Sequence, residues 1–247
     1  MDHAITRHRY ELKKRALTVR NKTHITPNMI RIVLEGEDLA DFDSRGADDH
    51  VKIFVGGNGA EERRDYTPRR FDAKARTLTL DFALHEAGPA THWAIAAKPG
   101  DALMIGGPRG STLVPPSFDW WLLIGDETAL PAIGRRIEEL PAKARVIALA
   151  AVTDAAEEQS FETKTSLSLH WVHRPATSAN DPDSLLSALG KIALPPGDGF
   201  VWIGAEARVA RALRDYMVKE RGHPLHWLKA SGYWLQGVAD AHDKLEN

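Results

Sequence analysis

The stretch from Arg64 to Gly110 reads R-D-Y-T-P-R at residues 64–69, H-E-A-G-P-A-T-H-W-A at 85–94 and G-D-A-L-M-I-G-G-P-R-G at 100–110. The first segment is an Arg–aromatic–hydroxyl cluster, the second a Gly-Pro turn flanked by His85 and Trp93, the third a glycine-rich turn. A surface loop has no need of all three. A pocket for a large, flat, phosphorylated molecule does. Its planar part needs an aromatic neighbour and small residues, and its phosphates need a cation and free backbone N–H groups. A flavin dinucleotide matches that set best.

Working outward, the first half of the chain reads as short strands. Ile30, Ile32 and Leu34 alternate with Arg31 and Glu35, and Leu78, Leu80 and Phe82 alternate with Thr77, Thr79 and Asp81. Apolar runs at His50–Val55 and Ala102–Ile105 sit between turn signals, a pattern that predicts an N-terminal antiparallel β-barrel. The charged opening, through about Lys14, reads as a loose arm or edge element. After Pro115-Pro116-Ser117 the rhythm changes. Continuous apolar runs at Trp120–Ile124, Arg145–Val152, Leu167–Val172 and Phe200–Ile203 predict strands buried on both faces. Helical spacing occupies Thr128–Leu140, the segment opened by Asp181-Pro182, and Ala205–Glu220, and Leu225–Leu228 reads as a last strand. The expectation is a C-terminal α/β domain with a mostly parallel sheet, the domains spanning residues 1–116 and 117–247.

Composition narrows the chemistry. The 247 residues carry a formal net charge of −2, so there is no electrostatic case for nucleic acid. There are no cysteines, which excludes disulfides, thiolate zinc sites and Cys-ligated iron–sulfur clusters carried by this chain. No apolar run approaches the roughly 18 residues of a membrane span, and the charged N-terminus lacks the apolar core of a signal peptide. These features predict a cytoplasmic protein without membrane insertion.

Each candidate site residue has a plainer reading beside the functional one. Arg64, Tyr66, Thr67 and Arg69 suit a flavin and its phosphates, and equally suit a charged strand with one half-buried tyrosine. Gly88, Pro89 and Ala90 open a short helix over Thr91–Ala97 whose N-terminus attracts anions. His85 and Trp93 beside it also read as surface and core residues. Asp126, Thr128 and Ala129 lie between a strand and a helix, where open α/β sheets bind ligands and where a simple helix cap also belongs. Glu206 repeats that position, with Arg208 and Arg211 a turn apart, set to meet a nucleotide phosphate or solvent. The tail aromatics Trp227, Tyr233 and Trp234 read as packing on a cofactor or on the other domain. His170/His173 and His223/His226 have no third ligand and read as structural.

Taken in order, these segments resemble the siderophore-interacting protein family of FAD-dependent ferric-siderophore reductases, within the ferredoxin-reductase-like flavoproteins. The shared pattern is R-x-Y-T-x-R, H-x-x-G-P-A-x-x-W-A, G-D with G-P-x-G, G-D-x-T-A-L-P-A, paired arginines on a helix and a C-terminal G-Y-W, spread over about residues 14–237. The resemblance implies FAD on the barrel and NADPH or NADH on the α/β domain, with electrons passing through flavin to a ferric siderophore. It places Arg64, Tyr66 and Thr67 at the flavin and its phosphate arm. It assigns His85, Gly88, Pro89, Ala90 and Trp93 to the ribityl–pyrophosphate part, and Asp126, Thr128 and Ala129 to the adenosine end. Glu206, Arg208 and Arg211 fall on the nicotinamide-nucleotide side, and Lys52 in a basic patch for the anionic chelate. Many members carry Arg or Lys directly after G-Y-W, where this chain has Leu235. No catalytic acid, base or protein metal ligand is expected. The alternatives are a flavin or quinone reductase of the same fold, a non-catalytic siderophore-binding flavoprotein, and ferredoxin as the electron donor.

Overall fold

The computed structural model describes residues 3–56, 62–84 and 88–237, and the backbone of Asp243–Lys244. Its contacts divide the chain into two compact units, Met1–Pro115 with Gly134–Arg136, and Pro116–Ile133 with Ile137–Asn247.

The first unit contains β1 (Thr6–Arg9), β2 (Lys14–Thr26), β3 (Met29–Glu35), β4 (Val51–Val55), β5 (Glu62–Tyr66), β6 (Arg70–Asp72), β7 (Thr77–Ala83), α1 (Pro89–Ala96), β8 (Ala102–Gly106) and β9 (Gly110–Leu113). Seven strands form one antiparallel sheet in the order β5-β4-β8-β2-β3-β7-β6. The alternation of β3 and β7 sets their register. Ile30 pairs with Phe82, Ile32 with Leu80 and Leu34 with Leu78, and all six are fully buried. A one-residue slip would send this whole set to the opposite face. The charged opening is an edge element, since β1 pairs with β9. The longest strand, β2, escapes a periodicity reading because Leu17 and Val19 are its only large buried apolar residues.

The second unit contains β10 (Trp120–Gly125), α2 (Leu130–Glu139), β11 (Arg145–Val152), β12 (Ser166–His173), α3 (Asp183–Gly190), β13 (Gly199–Glu206), α4 (Ala207–Asp215), β14 (Leu228–Trp234) and β15 (Asp243–Lys244). The sheet order is β12-β11-β10-β13-β14-β15, parallel except for β15. From β10 the chain lays strands outward on one side, then returns to lay β13 and β14 on the other. The carboxyl ends of β10 and β13 therefore flank the point where the strand order reverses, the usual ligand crevice of such sheets.

Several boundaries differ from expectation. β12 is an edge strand of alternating exposure, not a strand buried on both faces. Leu225–Trp227 is a single tight turn after Pro224, and the last long strand begins where the apolar run ends, at Leu228. Ala205 and Glu206 still belong to β13, so α4 starts later, and it ends in a π-turn at Tyr216–Glu220. α3 is preceded by Pro182 as N-cap, while the Asp181 carboxylate accepts from the Asp183 N–H one residue earlier.

Close packing at Gly125 ties these elements together. A Cβ there would stand 2.6 Å from Ala129 Cβ and from the Gly204 carbonyl oxygen, and 3.0 Å from Ile133 Cδ1. Backbone cannot yield as a flexible side chain does, so Gly125→Ala is expected to cost about 3 kcal/mol of stability. Urea unfolding measures it, and a midpoint equal to wild type would contradict the packing.

Candidate functional site

In the first unit the motif R-D-Y-T-P-R runs off the end of β5. Tyr66 lies opposite Val51 and Arg64 opposite Ile53, so both share the core-facing side, while Asp65 lies opposite Lys52 on the other. The Tyr66 ring packs against Phe82 at 4.3 Å between centroids, and Phe82 against Trp93 at 5.7 Å. Phe82 thereby joins two motifs that are far apart in sequence into one aromatic wall. Burial pushes the Tyr66 phenol above its ordinary range, with the nearby Arg64 opposing, so it stays neutral. Thr67 is buried, and its hydroxyl makes no hydrogen bond among the described residues.

Helix α1 follows. Its N-cap is Gly88, extended at φ −96° and without a side-chain cap, and Pro89 sits in the first turn. First-turn amides have no partner inside a helix, so they remain available to an anion. A Cβ on Gly88 would meet nothing within 4 Å, which leaves room for a bulky group to approach. An aromatic wall, an unengaged hydroxyl and an uncapped helix start are the features that a flavin ring and its phosphates require. These residues fit FAD. Ala90 is buried in the core and contributes backbone only. His85 lies outside the described residues. Arg64 is half-buried, donating to Glu62 at 2.7 Å and to the Arg63 carbonyl.

Arg69 sits inside the first unit. It is buried and stands 3.8 Å from Asp81, which also accepts two hydrogen bonds from Arg31 at 2.7 Å. One carboxylate is thus shared between two guanidinium groups.

In the second unit the residues expected near a nucleotide also brace the sheet edge. Asp126 is buried, and its Oδ1 accepts from the Thr128 N–H at 3.0 Å and hydroxyl at 2.5 Å. Its Oδ2 accepts from the Glu206 N–H at 2.8 Å and from Trp234 Nε1 at 2.9 Å. Four donors saturate the carboxylate. The Ala129 side chain is buried and its N–H bonds the Asp126 carbonyl. The turn thus caps itself through the Asp126 carboxylate. Glu206 is buried and caps α4, accepting from the N–H groups of Arg208 at 2.6 Å and Val209 at 3.3 Å. A carboxylate at that helix start repels a second anion. Arg208 and Arg211 lie exposed on α4.

The tail aromatics find partners inside their own unit. Trp234 supports Asp126, Tyr233 lies edge-on to Trp202, and Trp227 lies edge-on to Phe118. The histidines bond locally, His173 to Glu158, His170 to Ser168 and His223 to the Trp227 carbonyl.

Comparison with known proteins decides the family. A family model described as siderophore-interacting protein matches residues 118–237, and one described as siderophore-interacting FAD-binding domain matches 18–63 and 58–112. The chain belongs to the siderophore-interacting protein family. It is 34% identical to the NADPH-dependent ferric-chelate reductase of Escherichia coli (strain K12), covering 92% of this chain and 94% of that one. A solved siderophore utilization protein from T. fusca superposes with a TM-score of 0.90 at 40% identity, covering 98% and 100%. The ferredoxin reductase of carbazole 1,9a-dioxygenase shares the fold, with a TM-score of 0.69 at 13% identity over 88% of this chain and 66% of that one.

In this family member Lys52 faces away from Tyr66 and donates to Asp65 at 2.9 Å, with His50 3.9 Å from the same carboxylate. Sequence reasoning missed Phe82, whose alternation marked it only as core. It also missed Glu127 and Arg174, which pair at 2.9 Å. The signal for Glu127 was its place in G-D-E-T, and nothing local marked Arg174.

Burial, with Asp126 beside it, pushes the Glu127 carboxyl from 4.5 to about 7, against the pull of Arg174. The folded state then binds a proton more tightly than the unfolded chain, so this group's contribution is greatest at low pH and is lost as pH rises from 4.5 to about 7. The stability difference between wild type and Glu127→Gln is expected to drift against wild type across that window. Chemical denaturation at a series of pH values reads the drift, and a flat difference would count against it.

Proposed function

We infer that the protein is an FAD-dependent reductase that takes electrons from NADPH or NADH and reduces ferric siderophores in the cytoplasm. The observation that carries this reading is the Tyr66–Phe82–Trp93 wall beside the uncapped start of α1, in a chain of this family. Bound FAD supplies the step-down from the two-electron hydride of a nicotinamide to the single electron that ferric iron accepts.

The residues of the chain bind and orient. Tyr66 offers its ring face to the flavin, and Thr67 a hydroxyl to a ring nitrogen. The α1 amides and Arg64 receive the phosphates. The carboxyl edge of the parallel sheet, braced by Asp126 and Glu206, takes the nicotinamide nucleotide. Electron transfer requires no side-chain acid or base. Iron leaves because a chelate of hard oxygen donors holds Fe(II) less tightly than Fe(III). Lys52 supplies positive charge toward an anionic chelate, part of it offset by Asp65, and Leu235 adds none.

Purified protein should be yellow. Anaerobic stopped-flow with NADH, NADPH and reduced ferredoxin, followed by a panel of ferric chelates, quinones and free flavins, tests the rest. Faster reoxidation by quinone or free flavin than by any ferric chelate would reassign the acceptor. Chelate binding without nicotinamide oxidation would make the protein a binding module.

A further inference from the structure

Thr67 and Pro68 follow β5, and the first unit holds this turn from several sides. Before it, Tyr66 pairs with Val51 and packs on Phe82. After it, the Arg69 N–H bonds the Thr79 carbonyl at 2.9 Å. A further hold comes from 67 residues along the chain. Arg135 belongs, with Gly134 and Arg136, to the same unit. Its Nη1 donates to the Pro68 carbonyl and to Ser44 Oγ, each at 2.9 Å, and its Nη2 to the Ser44 carbonyl at 2.5 Å. The guanidinium also lies over the Phe71 ring, 5.6 Å from its centroid.

The fork is itself fixed from behind. Ser44 donates its hydroxyl hydrogen to Asp49 at 2.9 Å, and the same carboxylate accepts from the Ser111 hydroxyl at 2.6 Å and the Gly46 N–H at 3.1 Å. Arg135, Ser44 and Asp49 are each at most 3% exposed. Burying such groups is costly, and an aliphatic side chain would fill the same space without that cost. What the network adds is a rigid, directional hold on two carbonyls.

Thr67 is the residue that this hold orients. Its own backbone is confined to extended geometry because it precedes a proline. The Pro68 ring fixes φ, and the position of the Pro68 carbonyl sets the remaining torsion. The β-branched Thr67 side chain is stiff at χ1. Its hydroxyl is buried and makes no hydrogen bond among the described residues, so its direction comes from the held backbone.

We propose that Arg135 is a positioning residue for the flavin: by holding the Pro68 carbonyl it aims the Thr67 hydroxyl at a flavin ring nitrogen. This rests on the placement of the flavin under the proposed function. Arg135 acts through Thr67 alone.

The test is a double-mutant cycle on the FAD-loaded protein, with Arg135→Lys, Thr67→Ala and the pair. FAD release on dilution and the visible absorption bands of the bound flavin are the readouts, and neither needs electron transfer. Lysine keeps the charge but has no planar fork to span two carbonyls. Thr67→Ala should weaken FAD binding about fivefold, the worth of one hydrogen bond, and shift the bands. Arg135→Lys should weaken it by a similar factor and shift the bands the same way. The pair should bind FAD no more than about fivefold more weakly than wild type, because the second change has nothing left to disturb. Losses that multiply in the pair overturn the proposal. So does an Arg135→Lys protein that melts earlier but keeps wild-type bands and affinity, since its arginine would then be structural only. A shift in Thr67→Ala with none in Arg135→Lys sinks only the positioning role. Wild-type bands and affinity in Thr67→Ala sink the placement of the flavin at Thr67, and the proposal with it. Should Arg135→Lys fail to fold, Ser44→Ala decides, since it removes the hydroxyl that seats the fork. It must shift the bands in the wild-type background and leave them unmoved in Thr67→Ala.

Discussion

Asp126→Ala is expected to lower the melting temperature of the protein by about 10 °C. Four hydrogen bonds end on this carboxylate, and they join the β10 turn, the start of α4 and the end of β14. At about 1 kcal/mol each, their loss amounts to roughly 4 kcal/mol, and a domain of this size shifts by about 2–4 °C per kcal/mol. The Glu206 N–H and Trp234 Nε1 would be left without their acceptor. Asp126→Asn keeps one acceptor oxygen and should lose about half as much. Differential scanning calorimetry reads both, and a melt of Asp126→Ala within about 2 °C of wild type would refute the brace.

Tyr66→Ala is expected to emerge from purification largely colourless. The substitution removes the ring that completes the wall with Phe82 and Trp93, and with it the surface offered to the flavin. Stacking and burial of one aromatic ring together are worth about 2–3 kcal/mol, or roughly 30- to 150-fold in FAD affinity. Tyr66→Phe keeps the ring and should retain FAD, since the phenol makes no hydrogen bond among the described residues. Flavin absorbance per polypeptide measures both. A fully flavinated Tyr66→Ala would show that the cofactor lies elsewhere.

The local geometry of the candidate flavin end was legible in the sequence, because its parts are local. R-x-Y-T places an arginine and a tyrosine on one strand face by the two-residue repeat of a strand. Gly88-Pro89-Ala90 starts a helix by its backbone preferences alone. The nucleotide end was legible only in outline. Asp126, Thr128, Ala129 and Glu206 were placed at the carboxyl edge, but the hydrogen bonds that their side chains make there could not be read. Two of the groups that occupy Asp126 lie at Glu206 and Trp234, 80 and 108 residues away in sequence. The ion pair of Arg69 with Asp81 was hidden for the same reason, since Asp81 lies on another strand.

By itself the sequence determined the two-part layout, the strands whose apolar residues alternate or run unbroken, and the order of motifs that places the chain in its family. Each of these follows from the geometry of a single segment, in which neighbours along the chain settle what faces where. The tertiary structure alone decided which carboxylates are free and which are spent, that Phe82 links two motifs, and that Arg174 is buried beside Glu127. Those properties depend on partners brought together from distant segments. Burial and hydrogen-bond saturation become defined only once the sheet has closed around them.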